Sequence, residues 1–411
     1  MPLLKRLFRF AASFGFAATI LLFLFLLTWL GTLEQIKYGL YETQKKYFES
    51  YLLVHHAGPW AVQWPWADAN ASPLMTLPAI PIPLPGVNLL LTLLMVNLFC
   101  GGLVRLRKDF ARAGILVTHL GIVLMLAAGF VNFRWAHEGL LHVEPGQSNR
   151  HYFSYHDWDL TIRDAAATGR VTEHVIPGEE WRDLVKGTRR FTSDALPFDL
   201  LVTKTFKNCD VLPQGPMFKG DGPVIDRHVV SARPLNDLNE QNVPGAYVTA
   251  VEKATGRQID GIVWGFERQP LAVEAGGKQW LLELSRRRYE LPFDVRLEKI
   301  FVEFHPGTAS PRTFWSNITK LEDSQQLAMR ITMNEPLRHA GYTLFQTGWG
   351  PQTRPLRPML YSEFTVVENP SDQWPKWSCC VIGIGLLFHF GMRLWKYITA
   401  SRRLLAAPAK D

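Results

Sequence analysis

Four apolar runs, residues 10–30, 87–104, 113–133 and 377–395, decide what this chain can fold into. Each is about long enough to cross roughly 30 Å of hydrocarbon as a helix. Within a bilayer every backbone N–H and C=O must find a partner inside the protein. Continuous apolar runs that cannot alternate as barrel strands are therefore helical. The first run follows Lys5, Arg6 and Arg9 and has the flank of a signal peptide. Its length, the lack of a small-x-small cleavage site and the continuation "TWLGTLEQ" make it a retained span. Hydrophobic residues make up 47% of the chain, and the net charge is +7. The basic residues crowd beside the apolar runs, which is the pattern of membrane topology and excludes a nucleic-acid interface as their main purpose.

The Lys/Arg distribution also orients the helices. The short loop "RLRKDFAR" carries Arg105, Arg107, Lys108 and Arg112, and the tail carries Lys396, Arg402 and Arg403, with Arg393 at the end of the fourth run. With four spans both lie on the side of the N-terminus, which the positive-inside rule makes cytoplasmic. The expected organisation is residues 1–31, first span with a basic N-terminus; 32–86, outer loop; 87–133, second and third spans; 134–376, outer domain; and 377–411, fourth span and basic tail. In the outer loop, Ile36, Leu40, Tyr41, Tyr47, Phe48, Tyr51 and Leu52 recur at helical spacing between charged residues. This is an amphipathic helix, lying on the membrane surface or packed on the outer domain. Trp60, Trp64 and Trp66 follow among prolines, a composition suited to the headgroup level.

The outer domain reads as mainly β. "AYVTAVE", "GIVWGF", "QWLLELS", "DVRLEKIFVEF", "AMRITM" and "YTLFQT" are short β-branched or aromatic runs punctuated by Gly, Pro and Asn. "LPFDLLVTKTF" from Leu196 is echoed by "LPFDVRLEKIF" from Leu291, a hint of two related β-modules. The expected class is a four-span α-helical membrane protein with a large extracytoplasmic, sandwich-like β domain.

Ionisable side chains inside spans are where function is sought first. His119 sits about six residues, or roughly 9 Å, from the cytoplasmic end of span three. It is either a structural histidine bonded to a neighbouring helix or a ligand to a metal. His389 lies at a similar depth in span four, as a boundary histidine or a second ligand. Asn88 and Asn97 in span two suit interhelical hydrogen bonds. The other ten histidines, His55, His56, His137 and His142 among them, read as surface or packed residues. Arg286, Arg287 and Arg288 read as a solvated charge run or an anion contact, and Glu335 and Arg338 as turn residues. Of the four cysteines only Cys209 lies outside the apolar runs, and no C-x-x-C occurs. A disulfide framework, a zinc knuckle and a covalent haem attachment site are thereby excluded.

"LGTLEQIKYGLYETQKKYFES", "GILVTHLGIVLMLAAGF", "LPFDVRLEKIFVEFHPGT" and "MNEPLRHAGYTLFQTGW" together resemble the ResB/CcsB family of system II cytochrome c biogenesis proteins. The resemblance covers most of the chain in order and is least clear over residues 165–285. It implies a bacterial inner-membrane or thylakoid protein that works with a CcsA/ResC-type subunit; with no transit-like N-terminus here, the bacterial inner membrane is expected. Together the two move haem b across the membrane and present it to apocytochrome c. The tryptophan-rich haem-presenting segment belongs to the partner and is not found here, so this chain is half of a haem lyase-type synthase and not catalytic alone. The family's membrane haem-ligating histidine maps to His119. Two other classes compete. A b-type electron-transfer protein commonly shows two histidines on each of two spans, and here each of two spans has one. A membrane-anchored β domain could instead bind protein partners without haem.

Overall fold

The computed structural model describes residues 2–58, 60–62, 75–169, 171–184, 187–215, 220–267, 269–308, 310–323, 325–350 and 361–405. Trp64 and Trp66, and the side chain of Trp60, lie outside the described residues. The chain forms two compact units, Met1–Trp135 with Pro370–Asp411, and Ala136–Asn369.

The first unit is helical: α1 (Pro2–Ala11), α2 (Phe14–Thr43), α3 (Val87–Asn97), α4 (Ala113–Trp135) and α5 (Trp374–Leu405). Among the described residues, four helical segments are long and apolar enough to cross a membrane, Phe14–Phe48, Val87–Val104, Phe110–Trp135 and Trp374–Arg402. The first span begins later than its apolar run suggests. The Ser13 side chain accepts from the Phe16 N–H and starts a new helix, so the basic N-terminus forms a helix of its own.

A second departure concerns the amphipathic stretch, which is not one continuous helix. Gly39 takes φ 75° and ψ 172°, open to glycine at little cost, and the chain reverses there. The returning segment runs back along the end of α2. Lys46 Nζ donates to Glu34 Oε2 at 2.8 Å, and the Phe48 ring lies against Gly31. Residues Gln44–Phe48 form a π-helical turn. Tyr47, fully buried, joins Ile20, Leu27, Leu53, Val87 and Leu90 in one core. Between the helices lie β1 (Leu52–Ala57), β2 (Trp60–Val62), β3 (Met75–Leu77) and β4 (Ile80–Pro85), with β1 paired to β4 and β2 to β3.

Helices α4 and α5 approach closely because small residues face each other. A Cβ on Gly121 would lie 2.7 Å from Ile382 Cγ1, and one on Gly385 2.8 Å from the Gly114 carbonyl. Ser371 Oγ donates to the Ala128 carbonyl at 2.9 Å. Without a hydrophobic drive in lipid, such backbone proximity and hydrogen bonding hold helices together.

The second unit contains β5 (His137–Val143), β6 (Ser148–Asp164), β7 (Glu173–Ile176), β8 (Arg189–Phe191), β9 (Phe198–Phe206), β10 (Cys209–Pro213), β11 (His228–Ala232), β12 (Gly245–Glu252), β13 (Gln258–Trp264), β14 (Leu271–Ala275), β15 (Lys278–Phe304), β16 (Pro311–Glu322), β17 (Gln325–Thr332), β18 (Leu337–His339), β19 (Tyr342–Gly350) and β20 (Tyr361–Glu368). The larger sheet runs β17-β16-β15-β6-β5-β20-β19-β18, with β14 beside β15 and β7 beside β6; a four-stranded sheet runs β13-β12-β9-β8, and β10 pairs β11. The LPFD echo maps onto two cores. Leu196, Phe198, Leu200 and Val202 lie in a core shared by the two sheets. Leu291, Phe293, Val295 and Leu297 lie at the matching positions of a second core. That core also takes Ile331 of β17 and Leu344 of β19, so the larger sheet curls until its ends share one interior. The period of two puts the same alternate residues inward in both copies.

Candidate functional site

His119 lies on the second turn of α4 and is half-buried. Its Nδ1 is 2.8 Å from the Ile115 carbonyl one turn earlier. A carbonyl oxygen only accepts, so the proton of the neutral ring resides on Nδ1. Nε2 then carries a bare lone pair, and among the described residues it has no hydrogen-bond partner. A backbone carbonyl fixing one ring nitrogen while the other faces a metal is the usual arrangement of a ligating histidine.

Span two supplies the other wall. Its last turn, Leu98–Val104, is π-helical and contains Gly101 and Gly102. A Cβ on Gly102 would sit 2.3 Å from His119 Cδ2, the carbon bonded to Nε2. The ring occupies the space a side chain at 102 would take. Asn97, just before this turn, is buried, and its amide donates to the Ala11 and Ser13 carbonyls at 2.7 and 3.0 Å. Asn88 donates to the Glu49 carbonyl at 2.8 Å. Both asparagines thus bridge separate chain segments.

His389 is placed differently. Its backbone packs on Gly114, and its ring stands edge-on to Phe390 at 5.5 Å. Nδ1 is buried without a partner among the described residues. Gly114 and His119 are five residues apart on α4, about 7.5 Å along the axis and about 140° around it. The backbone of His389 therefore meets another face of α4 from the one bearing the His119 ring, and the two rings make no contact.

Most of the remaining polar candidates have structural partners. Arg287 forms a fork with Asp159, at 2.8 Å, and Glu179, at 2.7 Å. Arg288 pairs with Glu173 at 2.6 Å, and Arg286 covers the Trp158 ring and donates to the Tyr155 carbonyl. The run "SRRR" is thus tied into its own domain. Arg287 holds the Glu179 carboxyl below the ordinary range. The Thr332 N–H donates to the Glu335 carbonyl and the Glu335 N–H to Thr332 Oγ1, fixing a turn. His339 lies 2.7 Å from Glu322 and 2.9 Å from Lys320. His305 and His56 are exposed, whereas His137 stacks on Tyr289 at 5.1 Å and His142 tilts onto Tyr361 at 4.2 Å. His55 is less solvated than expected: its Nδ1 meets the Tyr47 hydroxyl at 2.5 Å and Glu34 at 3.3 Å. Burial raises the Cys209 thiol to about 12, which keeps it protonated and inert. Among the described residues no group of three or more His, Cys, Asp or Glu side chains could hold a metal ion.

The chain matches the ResB-like family over residues 106–371, more than half of its length. It belongs to the ResB-like family. This ResB-like protein is therefore, at family level, a cytochrome c biogenesis subunit, and its apolar helices make it a membrane protein. No curated protein matches it. The family match includes span three with His119 and ends before His389. Gly102 lies outside the match and was not singled out from sequence; the only signal is the "CGG" in span two, a pair of small residues where another helix can approach.

Proposed function

We propose that this ResB-like chain binds haem b within the membrane through His119 and, with a CcsA/ResC-type partner, exports it for attachment to apocytochrome c. The observation that carries the reading is the pairing of His119 Nδ1 with the Ile115 carbonyl, which leaves Nε2 as a bare donor inside an apolar span. Iron in haem accepts such a neutral imidazole as an axial ligand. His119 would hold the cargo, Ile115 fixes the ring's tautomer, and Gly102 leaves the ring its place. The second ligand comes from the partner subunit; His389 is the lesser candidate within this chain. In this reading the basic loop and tail are cytoplasmic, the sandwich-like β domain is extracytoplasmic, and the membrane is the bacterial inner membrane. The β domain would receive the apocytochrome, and the chain attaches no haem covalently alone.

The test is His119→Ala in the chain coexpressed with a CcsA-type protein. The variant should insert normally, since the change makes the span more apolar. Copurified haem and holocytochrome should both fall, and added imidazole should restore part of the haem. His389→Ala should lose less. Normal abundance with full haem content and an unchanged haem spectrum in His119→Ala would make this histidine structural. A stable redox-active haem pair would instead favour b-type electron transfer.

A further inference from the structure

The separate N-terminal helix poses its own question. At about 100° per residue, Leu3, Leu4, Leu7, Phe8 and Phe10 of α1 share one side, and Lys5, Arg6 and Arg9 the other. Leu3 and Leu4 are 69% and 72% exposed. Ten residues are too few for a stable free helix in water. The end of α1 is instead pinned to span two. Asn97 caps the Ala11 and Ser13 carbonyls, and Arg105 donates to the Ala12 carbonyl at 3.2 Å. Gly101 lets that carbonyl come close, since a Cβ there would be 3.1 Å from it.

Between α1 and the end of span two lies a hollow of about 670 Å³ lined by Leu4, Lys5, Phe8, Arg9 and Arg105. Lys5 and Phe8 stand at the border between its apolar and basic sides, with Arg9 and Leu4 beside them on either side. Lys5 and Arg9 are one turn apart, where like charges repel. Arg105 adds a third cation. Among the described residues none of the three has a carboxylate within 4.0 Å; the nearby Asp109 faces Arg112 at 3.7 Å. Three unneutralised cations beside two apolar side chains match an anionic head joined to a hydrocarbon tail.

We propose that this hollow binds an anionic phospholipid, its phosphate between Lys5, Arg9 and Arg105 and an acyl chain along Leu4 and Phe8. An interfacial helix with its apolar side in the acyl boundary presents these residues at headgroup depth. The bilayer supplies the ligand, and an anionic leaflet attracts each cation. The site is separate from His119 and does not depend on haem binding.

The full chain, purified in detergent, is offered phosphatidylglycerol, phosphatidylcholine, inorganic phosphate or haem, and thermal protection and retained lipid are measured. Phosphatidylglycerol alone should protect the wild type and remain bound after detergent exchange. Lys5→Gln/Arg9→Gln should lower its retention by about fivefold per charge. Arg6→Gln, on the far edge of the basic side, should retain it. Should the double variant fail to accumulate, Arg105→Gln and the charge-keeping Lys5→Arg carry the test, the first losing lipid and the second keeping it. The proposal is overturned if phosphatidylcholine binds equally, if inorganic phosphate alone protects, if haem takes the lipid's place, or if Arg6→Gln loses as much lipid as the double variant.

Discussion

His119 has two separable dependences, on its own nitrogen and on the space left for its ring. The first belongs to the residue and was legible in sequence, because a histidine in an apolar span needs a partner. The second belongs to Gly102, whose absent side chain the ring replaces. Gly102→Ala keeps every ring nitrogen yet brings a methyl carbon to 2.3 Å of Cδ2, so the ring or span two must shift. The expected outcome is normal membrane insertion with a shifted haem spectrum or reduced haem in the coexpressed complex, intermediate between wild type and His119→Ala. Spectra identical to wild type at full haem loading would show that Gly102 does not set the ring. This proximity between spans could not be read from one sequence, since a Gly-Gly pair says only that something comes near. His389 carries a different lesson, because its partnerless Nδ1 gives no reason of stability to have a histidine there.

At the level of elements, helical periodicity in "EQIKYGLYETQKKYFES" is real on both sides of Gly39, which is why one helix was expected. The reversal rests on a single backbone conformation, and an isolated glycine in a periodic run is only a weak sign of it. The result is a helical hairpin that buries Tyr47 and brings His55, Glu34 and Lys46 together. Gly39→Ala places a Cβ on a residue with φ 75° and should cost about 1–3 kcal/mol. Gly383→Ala, with nothing within 4 Å of the new Cβ, is the control and should leave stability unchanged. Thermal unfolding in detergent checks the pair. The β strands were easier, because alternation alone marks which residues of the two LPFD segments turn inward. That these alternations serve two different cores depends on long-range pairing, for which a single sequence holds no local signal.

For the whole molecule, the two units have different chemistry and should respond to different conditions. The β domain holds carboxylates below their ordinary range, Asp294 by Arg150 and Glu179 by Arg287. Stability from such groups is complete above the unfolded carboxylate range, about pH 4, and is lost as pH falls through the lower folded values. The unfolding temperature of the β domain should thus drop below about pH 4, with the loss spread over the acid range. Arg287→Met leaves Asp159 buried without its cation and should cost about 3 kcal/mol at neutral pH. It should also flatten the acid dependence, since Glu179 loses its reason to titrate low; an unchanged slope would show that this fork adds no pH-linked stability. The membrane unit instead depends on the direction in which its helices cross. Arg105, Arg107, Lys108 and Arg112 follow span two, and Arg393, Lys396, Arg402 and Arg403 close or follow span four. Pinning of α1 to Arg105 puts the basic N-terminal helix at the same end of the first two spans. All three basic clusters then favour one side, and a four-span path satisfies them together. Reporter fusions at residues 110 and 405 should read as cytoplasmic, and a fusion at residue 250 as outside. A cytoplasmic reading at 250 would remove the β domain from the side where apocytochrome c receives its haem, and the export reading would fall with the topology.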